Sequence, residues 1–146
     1  MFVRVVLPLA VVLLIAAARP AQDTKKELDK LQGEWTIVSE EQFGKKLPGA
    51  KIERYTLTIK GDQWTMALAE DKITMTLKID PSKDPKTIDL TFKLRGKQMV
   101  SLGIYKLEGG TLTVCRSLTT PDPQRPKEFK TTEKDGMLVV YKRVKK

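Results

Sequence analysis

From Gly33 onwards, apolar and polar residues alternate with a period of two along most of the chain. The alternation is clearest in four segments, where Thr and Lys separate many of the apolar positions: 55–60, 64–69, 73–79 and 88–94. Successive side chains of a strand point to opposite faces, so this pattern predicts strands with one buried and one solvated face. The many threonines strengthen the prediction, because a branched Cβ favours the extended backbone.

Turn-forming residues divide this region into short strands. Gly61-Asp62, Glu70-Asp71, Gly109-Gly110 and Asp135-Gly136 each predict a tight turn. The expected strands lie near 34–42, 54–60, 63–69, 72–79, 87–94, 98–107, 111–118, 127–132 and 137–144. Most of the connections are short enough to be hairpins, which predicts an up-and-down antiparallel meander. A meander of eight to nine strands must protect its edges, so we expect an all-β antiparallel barrel, with a two-sheet sandwich as the alternative.

The chain before the first strand has two parts. Residues 23–32 predict a short helix, because Leu28 and Leu31 share one face and Thr24 with Glu27 matches a capping box. We therefore expect an N-terminal segment with a short helix over 19–32 and the barrel domain over 33–146.

Residues 1–18 have the pattern of a secretory signal peptide. Arg4 is followed by an uncharged run from Val5 to Ala18, which ends in three alanines. The alternative is an uncleaved membrane anchor, but the run is shorter than the roughly 20 apolar residues that a spanning helix needs and it contains Pro8. We therefore expect cleavage after Ala18 and an exported protein, in the periplasm or cell envelope or secreted.

The chain carries a formal charge of +9 at pH 7. A basic surface can attract an anionic envelope polymer, although the excess charge can equally serve solubility alone. The positive residues are spread along the chain, without an arginine-rich block interleaved with aromatics, so we expect no nucleic-acid partner.

The residue types needed for common catalytic and metal sites are scarce. The chain has no histidine and a single cysteine, Cys115, which lies in an apolar strand and is expected to be partly buried. A disulfide-linked dimer through Cys115 is the minor alternative. Glu40-Glu41 and Glu70-Asp71 are adjacent on strands or turns, where neighbours point apart, so both pairs are interpreted as solvated charges. We expect no enzymatic activity, no metal and no cofactor.

Short motifs resemble a known family. Gly33-Glu34-Trp35 after a short helix, with Arg143 near the end of the last strand, resembles the lipocalin pattern, in which the Trp closes one end of the barrel beneath a basic residue. Further motifs resemble the uncharacterised lipocalin-like domain family expanded in planctomycete bacteria: 31–35, 85–90, 103–107, 112–115 and 125–129. The resemblance implies an exported lipocalin-like barrel with structural roles for Gly33, Trp35 and Arg143. It implies no activity and no ligand residues.

The barrel interior is the candidate binding site. An eight-stranded barrel is just wide enough to be packed with side chains or to hold one small ligand. Candidate lining residues are the inward apolar ones: Trp64, Met66, Met75, Leu77, Leu90, Phe92 and Tyr105. Because the inward face shows no charge pattern, the leading hypothesis is a non-enzymatic module that binds a small apolar or amphipathic ligand. The alternative is a cell-envelope interaction or structural domain that uses its basic outer face.

Overall fold

Nine strands form one antiparallel sheet, and eight of them close it into a barrel. The computed structural model describes residues 18–52, 54–119 and 121–145, so most of the predicted signal peptide, residues 1–17, lies outside the described residues. The elements are α1 (Ala18–Leu31), β1 (Gly33–Gln42), β2 (Lys45–Lys46), α2 (Gly49–Ile52), β3 (Tyr55–Lys60), β4 (Gln63–Leu68), β5 (Asp71–Asp80), β6 (Lys86–Leu94), β7 (Lys97–Glu108), β8 (Thr111–Arg116) and β9 (Met137–Arg143).

Closure is made by the first and last long strands. Each strand from β3 to β9 pairs with its successor, and β1 pairs with both β3 and β9, while β2 adds a short extra strand to β1. The prediction of an all-β up-and-down barrel with a short N-terminal helix is therefore confirmed. The two-sheet sandwich is wrong, because no open edge remains among the eight long strands. Within the described residues, no helix is long and apolar enough to cross a membrane.

The predicted strand at 127–132 is not formed. Arg116 of β8 pairs directly with Met137 of β9, so the sheet leaves no edge with which this segment could pair. The segment instead crosses the outside of the wall as part of the loop over 117–136. The Sγ of Cys115 donates to the carbonyl of Lys130 at 3.5 Å, and the hydroxyl of Thr131 bonds both Gly44 and Glu41.

The two ends of the barrel differ. At the closed end α1 lies across the opening, where Leu31 enters the core and Glu27 pairs with Lys86 of β6 at 2.9 Å. This helix begins earlier than the predicted 23–32 and includes Ala18. The other end, which we call the mouth, is bordered by α2 and by the turns before β5 and β7.

A β-bulge in β1 changes which side chains point inward near the mouth. The register with β9 shifts between Ile37 and Ser39, and Val38 is left exposed. Ile37 and Glu40 are both buried although they stand three positions apart. The extra residue of a bulge reverses the alternation beyond it. Glu40 therefore points into the barrel, and Glu41 faces the outer loop.

Candidate functional site

A cavity of about 780 Å³ opens at the mouth of the barrel. Its volume falls in the range that is usual for small-molecule sites, about 300–1,000 Å³. The apolar walls come from five strands and comprise Ile37, Met66, Met75, Phe92, Met137 and Val139. Most of these side chains are flexible or aromatic, and such residues adapt to apolar ligands of varied shape.

An aromatic pair forms the floor of this cavity. The rings of Trp64 and Tyr141 meet edge to face, with centroids 5.7 Å apart and planes at 84°. Both line the cavity and both belong to the buried core, so they separate the open half of the barrel from the packed half. Burial raises the pKa of the Tyr141 hydroxyl well above its usual range, which keeps this group neutral at ordinary pH.

The predicted lining residues divide into two groups. Trp64, Met66, Met75 and Phe92 border the cavity. Leu77, Leu90 and Tyr105 are fully or almost fully packed in the core, outside the lining of the cavity. Their strand positions do point inward, but α1 and the neighbouring side chains fill that half of the barrel.

Tyr105 has an unusual environment in the packed half. Its side chain is 1% exposed, and among the described residues its hydroxyl has no hydrogen-bond partner. Burial raises its pKa well above the usual range, and the negative charges of Glu27 and Asp80 add to the effect.

Two charged residues point into the mouth, contrary to the expectation of an uncharged inward face. Arg116 ends β8 and lines the cavity, where its Nη1 donates to the hydroxyl of Ser101 at 3.1 Å. Glu40 is 7% exposed, and its Oε1 accepts a hydrogen bond of 2.5 Å from Gln42. The interpretation of Glu40 as a solvated charge is therefore wrong. Glu70 and Asp71 are exposed, as expected of turn residues.

Burial also affects the Arg116 guanidinium. It lowers the pKa of Arg116, and nearby Tyr141 and Glu40 oppose this shift. A guanidinium stays protonated over the whole ordinary pH range, so the cavity holds a positive charge that has lost much of its hydration.

At the closed end, Arg143 covers the ring of Trp35. Its Cζ lies 4.2 Å from the ring centroid, and Trp35 is completely buried. Two guanidinium nitrogens donate to carbonyls where α1 ends, one to Lys30 in its last turn and one, at 2.6 Å, to Gln32 directly after it. Gly33 has φ +120°, and a Cβ there would lie 3.2 Å from Nη1 of Arg143. These residues hold α1 on the barrel and lie away from the cavity.

Basic and apolar side chains surround the mouth. We call the segments 45–52, 68–73 and 93–97, together with Arg54, the mouth rim. They contain eight basic and two acidic residues by sequence. Ile73 and Leu94 of the rim are 60% and 54% exposed, although both stand at inward strand positions. Large apolar side chains left in water beside a cavity indicate a surface that can contact a ligand or a partner.

The loop over 117–136 covers the outer wall and buries Cys115. Arg125 attaches the loop, since its Nη1 lies 2.8 Å from Asp89 and donates to the carbonyl of Gly103 at 2.7 Å. The ring of Phe129 also contacts the wall, 4.9 Å from the Lys106 ammonium. Cys115 is fully buried rather than partly so, and burial raises its thiol pKa. A disulfide between two chains would require this loop to open.

A groove of about 710 Å³ also lies between this loop and the outer faces of β5 and β6. Two of its carboxylates are already engaged, Asp89 with Arg125 and Asp80 with the backbone and hydroxyl of Ser82. Among the residues that the structure describes, no group of three or more His, Cys, Asp or Glu side chains could hold a metal ion. The cavity at the mouth is therefore the better candidate site.

No protein-family model, no curated protein and no solved structure matches this chain. The resemblance to the planctomycete lipocalin-like family accordingly stays a prediction from short motifs.

Sequence reasoning missed the two charged residues of the mouth for different reasons. Arg116 continues the two-residue period of Leu112 and Val114, so its inward direction was available in the pattern. The inward direction of Glu40 could not be predicted, because no glycine marks the bulge at Val38 and Ser39. The bulge reverses which of the later side chains of β1 point into the barrel.

Proposed function

We propose that the protein is an exported, non-enzymatic binding module that takes a small apolar or amphipathic ligand into the mouth of its barrel. The observation that carries this proposal is the cavity of about 780 Å³, with apolar walls and an aromatic floor. A barrel interior without space beyond a water molecule would have excluded it. The absence of histidine from the sequence supports a binding rather than a catalytic role.

Binding of a neutral apolar dye, N-phenyl-1-naphthylamine, tests the proposal. We expect its fluorescence to rise with saturation on addition of the protein, and Met66→Trp to weaken the binding about tenfold by filling the cavity. The matched control is Val38→Trp on the outer wall, where the side chain is 55% exposed and should leave the affinity within about twofold. Equal affinities of these two variants would overturn the proposal, as would a wild-type protein that does not bind the dye.

Export and the natural ligand need the protein from its own source. Cleavage after Ala18 predicts that the mature chain begins at Arg19, which N-terminal sequencing would detect. Native mass spectrometry of the same preparation would show a co-purifying ligand as added mass. A mature chain that begins at Met1 would overturn the export component of the proposal.

A second candidate function, docking on an anionic surface, is favoured by the mouth rim. Its basic residues are Lys45, Lys46, Lys51, Arg54, Lys72, Lys93, Arg95 and Lys97. Three of them, Lys51, Lys72 and Lys93, border the cavity together with the exposed side chains of Ile73 and Leu94. Basic residues beside exposed apolar ones suit an anionic lipid surface, because lysines attract the headgroups while apolar side chains enter the interface.

Vesicle co-sedimentation tests this second function. We expect binding to phosphatidylglycerol vesicles that falls as salt is added, with little binding to pure phosphatidylcholine. The double variant Ile73→Ser, Leu94→Ser should weaken binding about tenfold, since two exposed apolar side chains are lost, whereas Val38→Ser serves as the control. Equal binding by the double variant and the control would contradict docking through the rim and favour an anionic polymer bound elsewhere.

A further inference from the structure

The side chain of Arg116 has space inside the barrel because a glycine lies opposite it. Leu112 and Val114 of the same strand are buried in the core, and the two-residue period places Arg116 on the same face. Opposite it stands Gly103 of β7, where a Cβ would lie only 2.9 Å from the Cβ of Arg116 and 2.8 Å from the carbonyl oxygen of Cys115. The glycine therefore leaves the space in which the arginine side chain begins.

Most donors of this guanidinium are unused. An arginine has five N–H donors, and among the described residues Arg116 makes a single hydrogen bond, to the hydroxyl of Ser101. The Ser101 proton is itself donated to the carbonyl of Ser117 at 2.6 Å, so this hydroxyl is directed to accept from the arginine. Within the described part of the chain, no carboxylate forms an ion pair with Arg116. None of its nitrogens is among the buried atoms that lack a partner, so the free donors face the open cavity, where the acceptors of a ligand can replace water.

The charges around the cavity favour an anion as that acceptor. Four cationic side chains border it, and Glu40 is its one carboxylate among the described lining residues; the cations are Lys51, Lys72, Lys93 and Arg116. Glu40 already accepts a hydrogen bond from Gln42. The net positive field therefore draws a negative group inward, and the Arg116 donors offer it a fixed partner.

We propose that the cavity selects amphiphiles with a carboxylate headgroup, whose two oxygens bind the guanidinium of Arg116 while the apolar tail contacts the walls and the Trp64–Tyr141 floor. This inference rests on the proposed binding function and names the class of ligand. A guanidinium presents parallel N–H groups that match a planar carboxylate, and a hydroxyl headgroup cannot use both of them.

Competition between matched probes tests the inference. Decanoate and 1-decanol have tails of the same length and differ in the headgroup, and each is titrated against the bound dye N-phenyl-1-naphthylamine. We expect decanoate to bind the wild-type protein at least about tenfold more tightly than decanol, because a charge-assisted hydrogen bond contributes about that factor or more.

Two variants change the preference in opposite directions. Arg116→Gln should abolish it by weakening decanoate about tenfold and leaving decanol and the dye within about twofold. Glu40→Gln removes the one repelling charge and should tighten decanoate several-fold, which gives a second test if the first variant does not fold by circular dichroism. Lys60→Gln, at the exposed last residue of β3 at the closed end, makes the same charge change as Arg116→Gln without touching the cavity and should retain the wild-type preference.

The outcomes separate this inference from the proposal beneath it. If the dye binds but decanoate and decanol compete equally, the carboxylate preference is wrong and the binding function stands. The inference is equally overturned if Arg116→Gln keeps the preference, or if Glu40→Gln weakens decanoate. If neither dye nor amphiphile binds the wild-type protein, the binding function fails and the inference with it.

Discussion

Arg143 is the residue that makes most of the contacts holding α1 on the closed end of the barrel. One guanidinium lies over the Trp35 ring and bonds two carbonyls at the C-terminal end of α1. The carbonyl of Lys30 belongs to the last turn, where carbonyls have no partner within the helix and form the negative end of its dipole, and the carbonyl of Gln32 follows directly after the helix. The planar guanidinium stacks on the ring and donates to both carbonyls at once, a geometry that the compact ammonium of a lysine does not reproduce.

Replacement of Arg143 should therefore destabilise the protein in a graded way. Arg143→Ala should lower the free energy of unfolding by about 2–3 kcal/mol, through the lost ring contact and two lost hydrogen bonds, and Arg143→Lys by about half as much. Urea denaturation measures both values. Lys142→Ala, on the exposed neighbouring position, is the control. A midpoint unchanged by Arg143→Ala would show that the contact is unimportant.

Asp135 shows a second residue-scale effect, in the loop over 117–136. Its carboxylate accepts from the hydroxyl of Ser117 at 2.6 Å and from the backbone amides of Leu118 and Thr119 at 2.8 and 2.9 Å. Partial burial alone would raise the pKa of Asp135, but these hydrogen bonds outweigh it, and the pKa is lowered overall. The ionised carboxylate thus holds both ends of the loop together.

The stability that Asp135 supplies should depend on pH. A pKa lowered in the folded state stabilises the fold above the unfolded-state pKa, about 3.9, and this contribution is lost as pH falls through the folded-state pKa. Asp135→Asn should therefore lower the free energy of unfolding by about 1 kcal/mol at pH 7. At a pH below the folded-state pKa of Asp135, the same substitution should make little difference to that free energy. Asp122→Asn, at an exposed position of the same loop, is the control. An equal loss at both pH values would contradict this.

At the scale of elements, the period of two located eight strands well, because each long strand has one wet and one buried face. It failed where tertiary context replaced periodicity. The segment 127–132, which we expected to be a strand, has no edge to join, and α2 is too short to show a helical period. For the candidate site, the period of two predicted which side chains point inward but not which of them border a cavity. Packing beneath α1 places Leu77 and Leu90 in the core, whereas Met66 and Phe92 border the cavity.

At the scale of the whole molecule, the closed sheet joins both ends of the barrel into one unit. Trp35 stands at the closed end and Trp64 at the floor of the cavity, and both are buried. The strands that carry them pair with β3 from opposite sides. Since the eight long strands leave no free edge, neither end has a boundary along which it could unfold separately.

Unfolding should consequently be a single transition. In Trp35→Phe and in Trp64→Phe, the remaining tryptophan reports on one region, and we expect its fluorescence to change at the same urea concentration as the far-ultraviolet circular dichroism of that variant. Each variant is its own control, because both signals come from one sample. A fluorescence transition of Trp64 that precedes the loss of strand signal would show that the mouth opens on its own.

The strand order has a consequence for how the barrel can be presented. β1 begins and β9 ends beside each other at the closed end, with Gly33 next to Arg143. The polypeptide therefore enters and leaves the barrel on the side that faces away from the cavity. A stalk or tag joined before β1 or after β9 would therefore be attached at the closed end and leave the mouth directed outward. Immobilisation through that end should keep the cavity accessible.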